Sequence, residues 1–380
     1  MILAKKIRLR PTKEQEKQLW KSVGTARWAY NWALNRQQEN FMQGDKFISN
    51  NDLRKELTKL KQMETFYWLF DVSNNVTKQA IKDACIAYKN YFKGKAKYPK
   101  LKSRKKSKLS FYNDTGKLKV KRNLVLIEKV GWIKTSEQIP MGVSYTNPRI
   151  SFDNKYWYIS VGIEQEFEQP ELTDEIIGID LGIKELAVCS NGQVFKNINK
   201  TKEIRKTGKR LRRLQRSVSR KYEMNKEGDR FVKTSNIIKL ENRIQHLHRR
   251  LSNIRNNHIH QATNAIVKTK PSKVVMEDLN VSGMLKNRHL SKAIGDQKFH
   301  EFIRQMKYKC EKYGIGFTKS DRFYPSSKKC SSCGTIKKDL KLSDRVFSCE
   351  CGLKLDRDRN ASLNLASYEG LTVLSPTRHC

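Results

Sequence analysis

Three carboxylates, far apart in the chain, carry the chemistry this sequence can do. Asp180 ends the apolar run Ile176-Ile177-Gly178-Ile179, Glu277 ends Val274-Val275-Met276, and Asp358 lies in Asp356-Arg357-Asp358-Arg359-Asn360-Ala361, just ahead of a helix-compatible stretch from Ala361 to Ala366. The glycines flanking Asp180, Gly178 and Gly182, are expected to let the backbone turn sharply after it. A buried strand that ends in an unpaired acid carries a desolvation cost, so three of them ask for a common counter-charge. Two divalent ions supply it. Magnesium prefers oxygen ligands and keeps several waters, so a few carboxylates hold two ions that activate a water and stabilise a leaving phosphate oxygen. That is hydrolytic phosphodiester chemistry. Any one of these acids alone reads equally well as a helix cap or a lysine partner; the trio, in this order and with these flanks, points to a metal site.

Four cysteines make a second constellation. Cys330-Ser331-Ser332-Cys333 and Cys349-Glu350-Cys351 are two knuckles separated by fifteen residues, each followed by a glycine, Gly334 and Gly352. Zinc takes four thiolates tetrahedrally, and a glycine after each short spacing lets backbone amides turn toward the sulfurs. The expected role is structural, with no open coordination position. The second pair has one intervening residue where two is the common spacing. A disulfide pairing is the alternative. His246-Leu247-His248 and His258-Ile259-His260 have i, i+2 spacing within a helical pattern, which sends the rings of each pair to different faces, so they are read as surface or RNA-contacting residues.

The segments Gly178-Ile179-Asp180-Leu181-Gly182, Val275-Met276-Glu277-Asp278-Leu279 and Asp356-Arg357-Asp358-Arg359-Asn360-Ala361 resemble the three parts of a RuvC-like nuclease site. More narrowly, the chain resembles TnpB, the transposon-encoded RNA-guided DNA endonucleases related to type V CRISPR effectors. The resemblance covers nearly the whole chain and is most specific from Ile176 to Leu365. It implies Asp180, Glu277 and Asp358 as catalytic ligands of two magnesium ions, with manganese as a substitute, and a target-nucleic-acid-binding insert at the zinc cysteines. It also implies a guide RNA from the transposon end and a double-stranded DNA target with a short flanking motif.

Charge agrees with such partners. The 380 residues include 78 Lys and Arg against 38 Asp and Glu, a formal net charge of +40 with an apolar share of only 37%. That self-repulsion opposes compactness unless a polyanion neutralises it. The basic residues are spread along the chain rather than gathered beside one amphipathic anchor, which argues against a membrane-surface protein. No apolar run approaches the length that spans a bilayer, and the N-terminus lacks a signal-peptide pattern, so a soluble, cytoplasmic and nucleoid-associated protein is expected.

The elements that must position these groups follow from periodicity. Lys5 to Arg10 reads as a strand; Pro11-Thr12 starts a helix, and Leu53 to Leu60 and Val76 to Phe92 suggest two more. On pattern alone this region is equally a plain helical bundle or the helix-turn-helix-like recognition module that the resemblance implies. Residues 93–108 hold nine Lys or Arg and no acid, broken by Gly94 and Pro99, and read as an extended basic strap for phosphates. Strands are expected at Lys117 to Val120, Leu124 to Ile127, Arg149 to Phe152 and Trp157 to Ile163, closing with Lys5 to Arg10 into a small antiparallel barrel. Gln165 to Asp174 is a linker. Glu185 to Cys189 and Gly192 to Phe195 then form a hairpin, and residues 200–255, with nineteen bases against five acids, form a helical hairpin broken near Glu227-Gly228-Asp229. Ser291 to Tyr313 reads as one helix and Ile315 to Phe323 as a strand. Lys78, Gln79 and Lys82 are candidates for reading bases.

The expected fold is an α/β multidomain protein. A wedge β-barrel occupies 1–11 and 109–170, and an all-helical recognition module with the strap occupies 12–108. A RuvC/RNase H-like nuclease domain takes 171–329 and 352–380, with the hairpin at 200–258 and a zinc-ribbon insert at 330–351. The expected function is RNA-guided DNA cleavage by a monomer carrying one RNA. A guide-independent nuclease or recombinase using the same acids, and a catalytically silent RNA-guided repressor, are the alternatives; the presence of all three acids disfavours silence.

Overall fold

The computed structural model describes residues 1–341 and 344–369, and the chain divides into two units, Met1–Glu166 and Phe167–Cys380. Of the segment 352–380 assigned above to the nuclease domain, residues 370–380 lie outside the described residues.

The first unit begins with β1 (Ile2–Arg10). Thr12 then caps α1 (Lys13–Met42): its hydroxyl accepts from the Gln15 amide while the Gln15 side chain accepts from Thr12, a reciprocal capping box. Two more helices, α2 (Asn50–Leu60) and α3 (Asn74–Phe92), are capped by Ser49 and Ser73. After the strap come β2 (Ser110–Tyr112), β3 (Lys119–Lys121), β4 (Leu124–Ile127), β5 (Gly131–Thr135), β6 (Tyr145–Phe152) and β7 (Trp157–Glu164). These strands form one seven-stranded antiparallel sheet in the order β2-β6-β7-β1-β5-β4-β3. Every second residue of β7, Trp157, Ile159, Val161 and Ile163, joins Ile7, Leu9, Val125 and Ile133 in a core that Leu19, Val23 and Ala26 of α1 complete. The barrel expected from sequence is not what forms. The ladder runs from edge to edge, and its two end strands, β2 and β3, are three residues long and pair on one side only, with β6 and β4.

The second unit carries a five-stranded mixed sheet, order β10-β9-β8-β13-β14. Its strands are β8 (Ile176–Leu181), β9 (Glu185–Cys189), β10 (Val194–Lys196), β13 (Lys273–Met276) and β14 (Gly316–Lys319). The first three are antiparallel, whereas β8, β13 and β14 are parallel. Between β10 and β13 the hairpin α4 (Lys202–Met224) and α5 (Ser235–Lys268) stands on an apolar seam that includes Ile204, Leu211 and Leu251; a small β11 (Lys226–Glu227) and β12 (Arg230–Phe231) ladder turns the corner. After β13 come α6 (Val281–Met284), α7 (Ser291–Gln297) and α8 (Phe299–Tyr313). The single helix expected from Ser291 to Tyr313 is thus two, broken at Lys298. That residue adopts φ 55°, and its ammonium reaches Ser252 Oγ at 2.8 Å and Asn256 Oδ1 at 2.7 Å on α5. Two hydrogen bonds to a neighbouring helix offset the cost of a left-handed lysine. The chain ends, for the described residues, in β15 (Val346–Ser348), β16 (Lys354–Asp356) and α9 (Arg357–Ala366).

The two faces of this sheet differ. Ile177, Ile179 and Leu181 of β8 share a core with Ile259, Ala262 and Ile266 of α5 and with Phe299, Phe302 and Met306 of α8. By the period of two, Gly178 and Asp180 face the other way, and there α9 lies directly on the strand. A Cβ at Gly178 would sit 2.0 Å from the Ser362 carbonyl oxygen and 2.4 Å from the Ala366 nitrogen. Gly178 therefore permits helix-to-strand contact rather than the sharp turn expected of it. Gly178→Ala should push α9 from the sheet and lower stability by roughly 1–3 kcal/mol, read as a drop in thermal midpoint. An unchanged midpoint would mean that the helix does not pack there.

Candidate metal-dependent active site

The parallel register of β8 and β13 places Val275 beside Gly178 and Met276 beside Ile179. One step further, Glu277 follows the end of β13 beside Asp180, the penultimate residue of β8, which is still paired with Val188 of β9, so both acids sit at the carboxyl ends of parallel strands. The third acid comes from α9. Asp358 is inside the first turn of the helix, not ahead of it, because Asp356 is the cap: its Oδ1 accepts from the amides of Asp358 at 3.0 Å and Arg359 at 3.4 Å. The close approach at Gly178 brings that first turn onto the face that Asp180 occupies.

Electrostatics records the meeting of the three. Burial, and then the negative charges of Glu277 and Asp358, hold the Asp180 carboxyl well above its ordinary range, while the Arg357 guanidinium opposes them. Asp358 is buried at 8% exposure and lies 3.7 Å from Arg357 Nε. One guanidinium cannot balance three converging carboxylates, so the donor set fits multivalent cations: oxygen ligands only, partly buried, mutually repelling. The adjoining acids are otherwise engaged. Asp278 pairs with Lys319 at 2.9 Å and Arg322 at 2.8 Å, which holds its carboxyl below the usual range, and Asp356 takes Lys184 at 3.3 Å besides capping α9.

The supporting hydrogen bonds were not visible in the motifs. Ser326 Oγ donates to Glu277 Oε1. Asn364 Nδ2 donates to the Ser326 carbonyl at 2.7 Å and the Lys329 carbonyl at 2.6 Å, and Asn360 Nδ2 reaches Lys329 O at 2.7 Å while its Oδ1 accepts from Ser331 N at 3.0 Å. Both asparagines are buried. Their i, i+4 spacing on α9 puts them on one helix face, the one available signal of a docking function; Ser326 had none. Arg359 fixes the other side of the helix by donating to the Cys189 carbonyl of β9.

That docked segment leads straight into the cysteines. Among the described residues, Cys330, Cys333, Cys349 and Cys351 are the group whose ligand atoms all lie within 4.8 Å of one another. Sulfur separations of 3.6 Å for Cys330–Cys351 and 3.5 Å for Cys333–Cys349 approach the roughly 3.8 Å edge of a tetrahedron with zinc at its centre. All four are free thiols, so the chain supports the zinc reading over the disulfide one despite the short second spacing. The histidine pairs stay apart: His258 Nε2 lies 2.9 Å from the Lys196 carbonyl and His248 Nε2 3.5 Å from Gln215.

Candidate nucleic-acid residues in the first unit divide. Lys78 and Lys82 are exposed, whereas the Gln79 amide is spent on Asp83 at 2.8 Å, itself bound by both arms of Arg149 at 3.0 and 3.1 Å. In the strap, Lys102 is not a free cation: its ammonium lies 3.5 Å from the centre of the Tyr30 ring, and burial lowers its pKa.

Residues 1–46 match the family described as a helix-turn-helix domain of OrfB/IS605, residues 158–288 match OrfB_IS605, "Probable transposase", and residues 299–365 match the Cas12f1-like TNB domain. A Streptomyces pristinaespiralis protein provisionally named an RNA-guided DNA endonuclease is 32% identical over 95% of this chain and 87% of its own. The Escherichia coli K12 protein InsQ, named likewise, is 31% identical over 92% of this chain and 87% of its own. In fold, the chain is similar to Cas12f1 from a complex with guide RNA and target DNA, at TM-score 0.59 and 15% identity over 93% of this chain and 82% of that one. It is also similar to the mini-RNA-guided endonuclease CRISPR-Cas phi3, at TM-score 0.53 and 11% identity over 97% and 92%. This chain belongs to the TnpB-type family of RNA-guided DNA endonucleases.

Proposed function

We propose that the protein is a transposon's RNA-guided DNA endonuclease in which guide pairing selects a DNA duplex and Asp180, Glu277 and Asp358 form the hydrolytic site of a RuvC-like domain. The observation that carries the reading is the placement of the half-buried Asp180 among two further carboxylates at the carboxyl ends of parallel strands. These three residues would hold two magnesium ions, or manganese, and when bound the ions supply an activated water and charge stabilisation at the leaving oxygen. The chain's own part is orientation. Ser326 fixes one oxygen of Glu277, Asp356 and Arg359 set the first turn of α9, and Lys319 and Arg322 keep Asp278 turned away. A zinc bound by the four cysteines would hold the segment that Asn360 and Asn364 dock, and so keep Asp358 and Glu277 in one frame.

The remaining assignments are part of the same reading. The sheet and helices of 1–170 grip the guide RNA, with target DNA partly held by the 330–351 segment; the protein acts as a monomer with one RNA in the prokaryotic cytoplasm, near its DNA. Among the described residues no helix is long and apolar enough to cross a membrane. The strap binds phosphates through its outward residues. Replacing Arg104, Lys105, Lys106 and Lys108 with glutamine should flatten the plot of log affinity against log salt by about 0.9 for each duplex phosphate that is no longer neutralised. Lys102→Gln, which removes an inward cation, should leave that slope unchanged; equal slopes for all the variants would return the strap to a solvated face. The overall reading is tested by cleavage of a duplex that matches a supplied guide against one that does not.

A further inference from the structure

The cores and the acid site leave unexplained a group of aromatic rings where α1 and α3 end. The two helices run in the same direction, since Val23 and Ala26 share a core with Val76 while the Tyr88 hydroxyl reaches the Leu34 carbonyl. At their common end Phe47, Tyr88, Tyr91, Phe92 and Tyr98 form a continuous cluster, with Tyr91–Tyr98 centroids 5.3 Å apart and Tyr88–Phe92 stacked at 6.1 Å. A core cluster would be covered. Here Tyr91 is 40%, Tyr98 48% and Phe92 65% exposed.

The rings stand on a fixed support. The Tyr88 and Tyr98 hydroxyls meet at 3.1 Å, and beyond Tyr98 the strap is tied to α1 where Asn31 exchanges two hydrogen bonds with the Lys102 backbone, at 2.9 and 2.8 Å. The same strap, residues 93–108, carries Lys93, Lys95, Lys97 and Lys100, each within three residues of Phe92 or Tyr98 in the chain, with no acid among them.

We infer that this edge is a stacking platform for unpaired nucleotides: Tyr91, Phe92 and Tyr98 take base faces while the neighbouring lysines take the phosphates. Every base has a face to stack, so the platform is tolerant of sequence, and fixed rings lose little freedom on binding. A second copy of this chain fits the surface poorly, because it would bring one acid-free lysine run against another. The inference rests on the nucleic-acid reading above, but it concerns single strands rather than the cleaved duplex, and its test uses neither guide nor cleavage.

The test uses the full chain, freed of bound nucleic acid at high salt, and titrates a fifteen-nucleotide oligothymidylate and an abasic phosphodiester of equal length. Wild type should prefer the strand with bases. Phe92→Ala and Tyr91→Ala should each weaken oligothymidylate binding by about 5- to 150-fold, leave abasic binding and the salt slope unchanged, and keep the wild-type unfolding midpoint, since these rings are largely outside the core. Phe92→Trp and Tyr91→Trp should restore the preference, and the introduced indole should be quenched by oligothymidylate and not by the abasic strand. Equal wild-type affinity for the two strands, or oligothymidylate affinity unmoved by Phe92→Ala, would overturn the platform. So would self-association of the nucleic-acid-free chain that Phe92→Ala abolishes, which would assign the surface to a second copy. Guided cleavage could fail with the platform intact, or survive its loss, so the two readings stand or fall separately.

Discussion

Asp180→Ala, Glu277→Ala and Asp358→Ala should each abolish cleavage of both DNA strands, a fall of roughly 10³-fold or more, because removing a direct ligand costs more than the 10–100-fold typical of an outer-shell partner. Since the acids act as a unit, the double variants should be no worse than the singles. Guide RNA retention and target binding should stay near wild type, because one carboxylate hardly changes the field of a chain of formal charge +40. Stability supplies a second readout. Asp180 is half-buried beside Glu277 and Asp358, whose charges oppose its own, so Asp180→Asn should raise the thermal midpoint measured without divalent ions, and should lose most of the increment that magnesium gives wild type. Neighbouring acids have different expected costs. Asp278→Ala frees Lys319 and Arg322 at the rim, whereas Asp356→Ala removes the cap of α9 and about 1 kcal/mol of helix stability, so it is a poorer control than its sequence position suggests. Robust cutting by Asp180→Ala would remove the three-acid site from the account.

Loss of zinc should have the next largest effect. Cys330→Ser or Cys349→Ser leaves three thiolates, and for a ribbon this small the binding free energy of the metal is folding free energy. The consequence reaches the acid site through particular bonds. Cys330 follows the segment whose Ser326 and Lys329 carbonyls are held by Asn360 and Asn364 of α9, and Ser326 in turn holds Glu277. Metal analysis should find one zinc per wild-type chain and a substoichiometric amount in either variant. Cleavage should fall at least tenfold, with the preference among magnesium, manganese and calcium unchanged, since the three proposed ligands Asp180, Glu277 and Asp358 remain. A wild-type chain with no zinc, or a zinc-free variant that cuts normally, would break the link between ribbon and site.

Much of this was legible in the sequence because the informative patterns are local. The run of Ile176 to Asp180, the helix start at Pro11-Thr12, the α4–α5 hairpin and the cysteine knuckles each depend on residues a few positions apart. What the sequence did not show depends on distant pairings. Short edge strands leave the sheet of the first unit open, yet nothing in Ser110–Tyr112 or Lys119–Lys121 says that they fail to meet. β5 escaped notice because its alternation covers only Gly131 to Thr135, with an exposed Trp132. The break at Lys298 is set by Ser252 and Asn256 on another helix, against a local pattern that favours continuing. Gly178 looked like a turn residue; only the position of α9 reveals that the missing side chain is space for a helix.

The most direct measurement is cleavage of one target duplex by the purified chain with its RNA exchanged for a guide of chosen sequence. The reaction should be run with magnesium, with chelator, and with a guide mismatched to the target. Cutting should require both the matched guide and the divalent ion, and RNA of defined sequence should copurify with the untreated chain until ribonuclease removes it. Equal cutting with matched and mismatched guides would contradict the account and leave a guide-independent nuclease in its place.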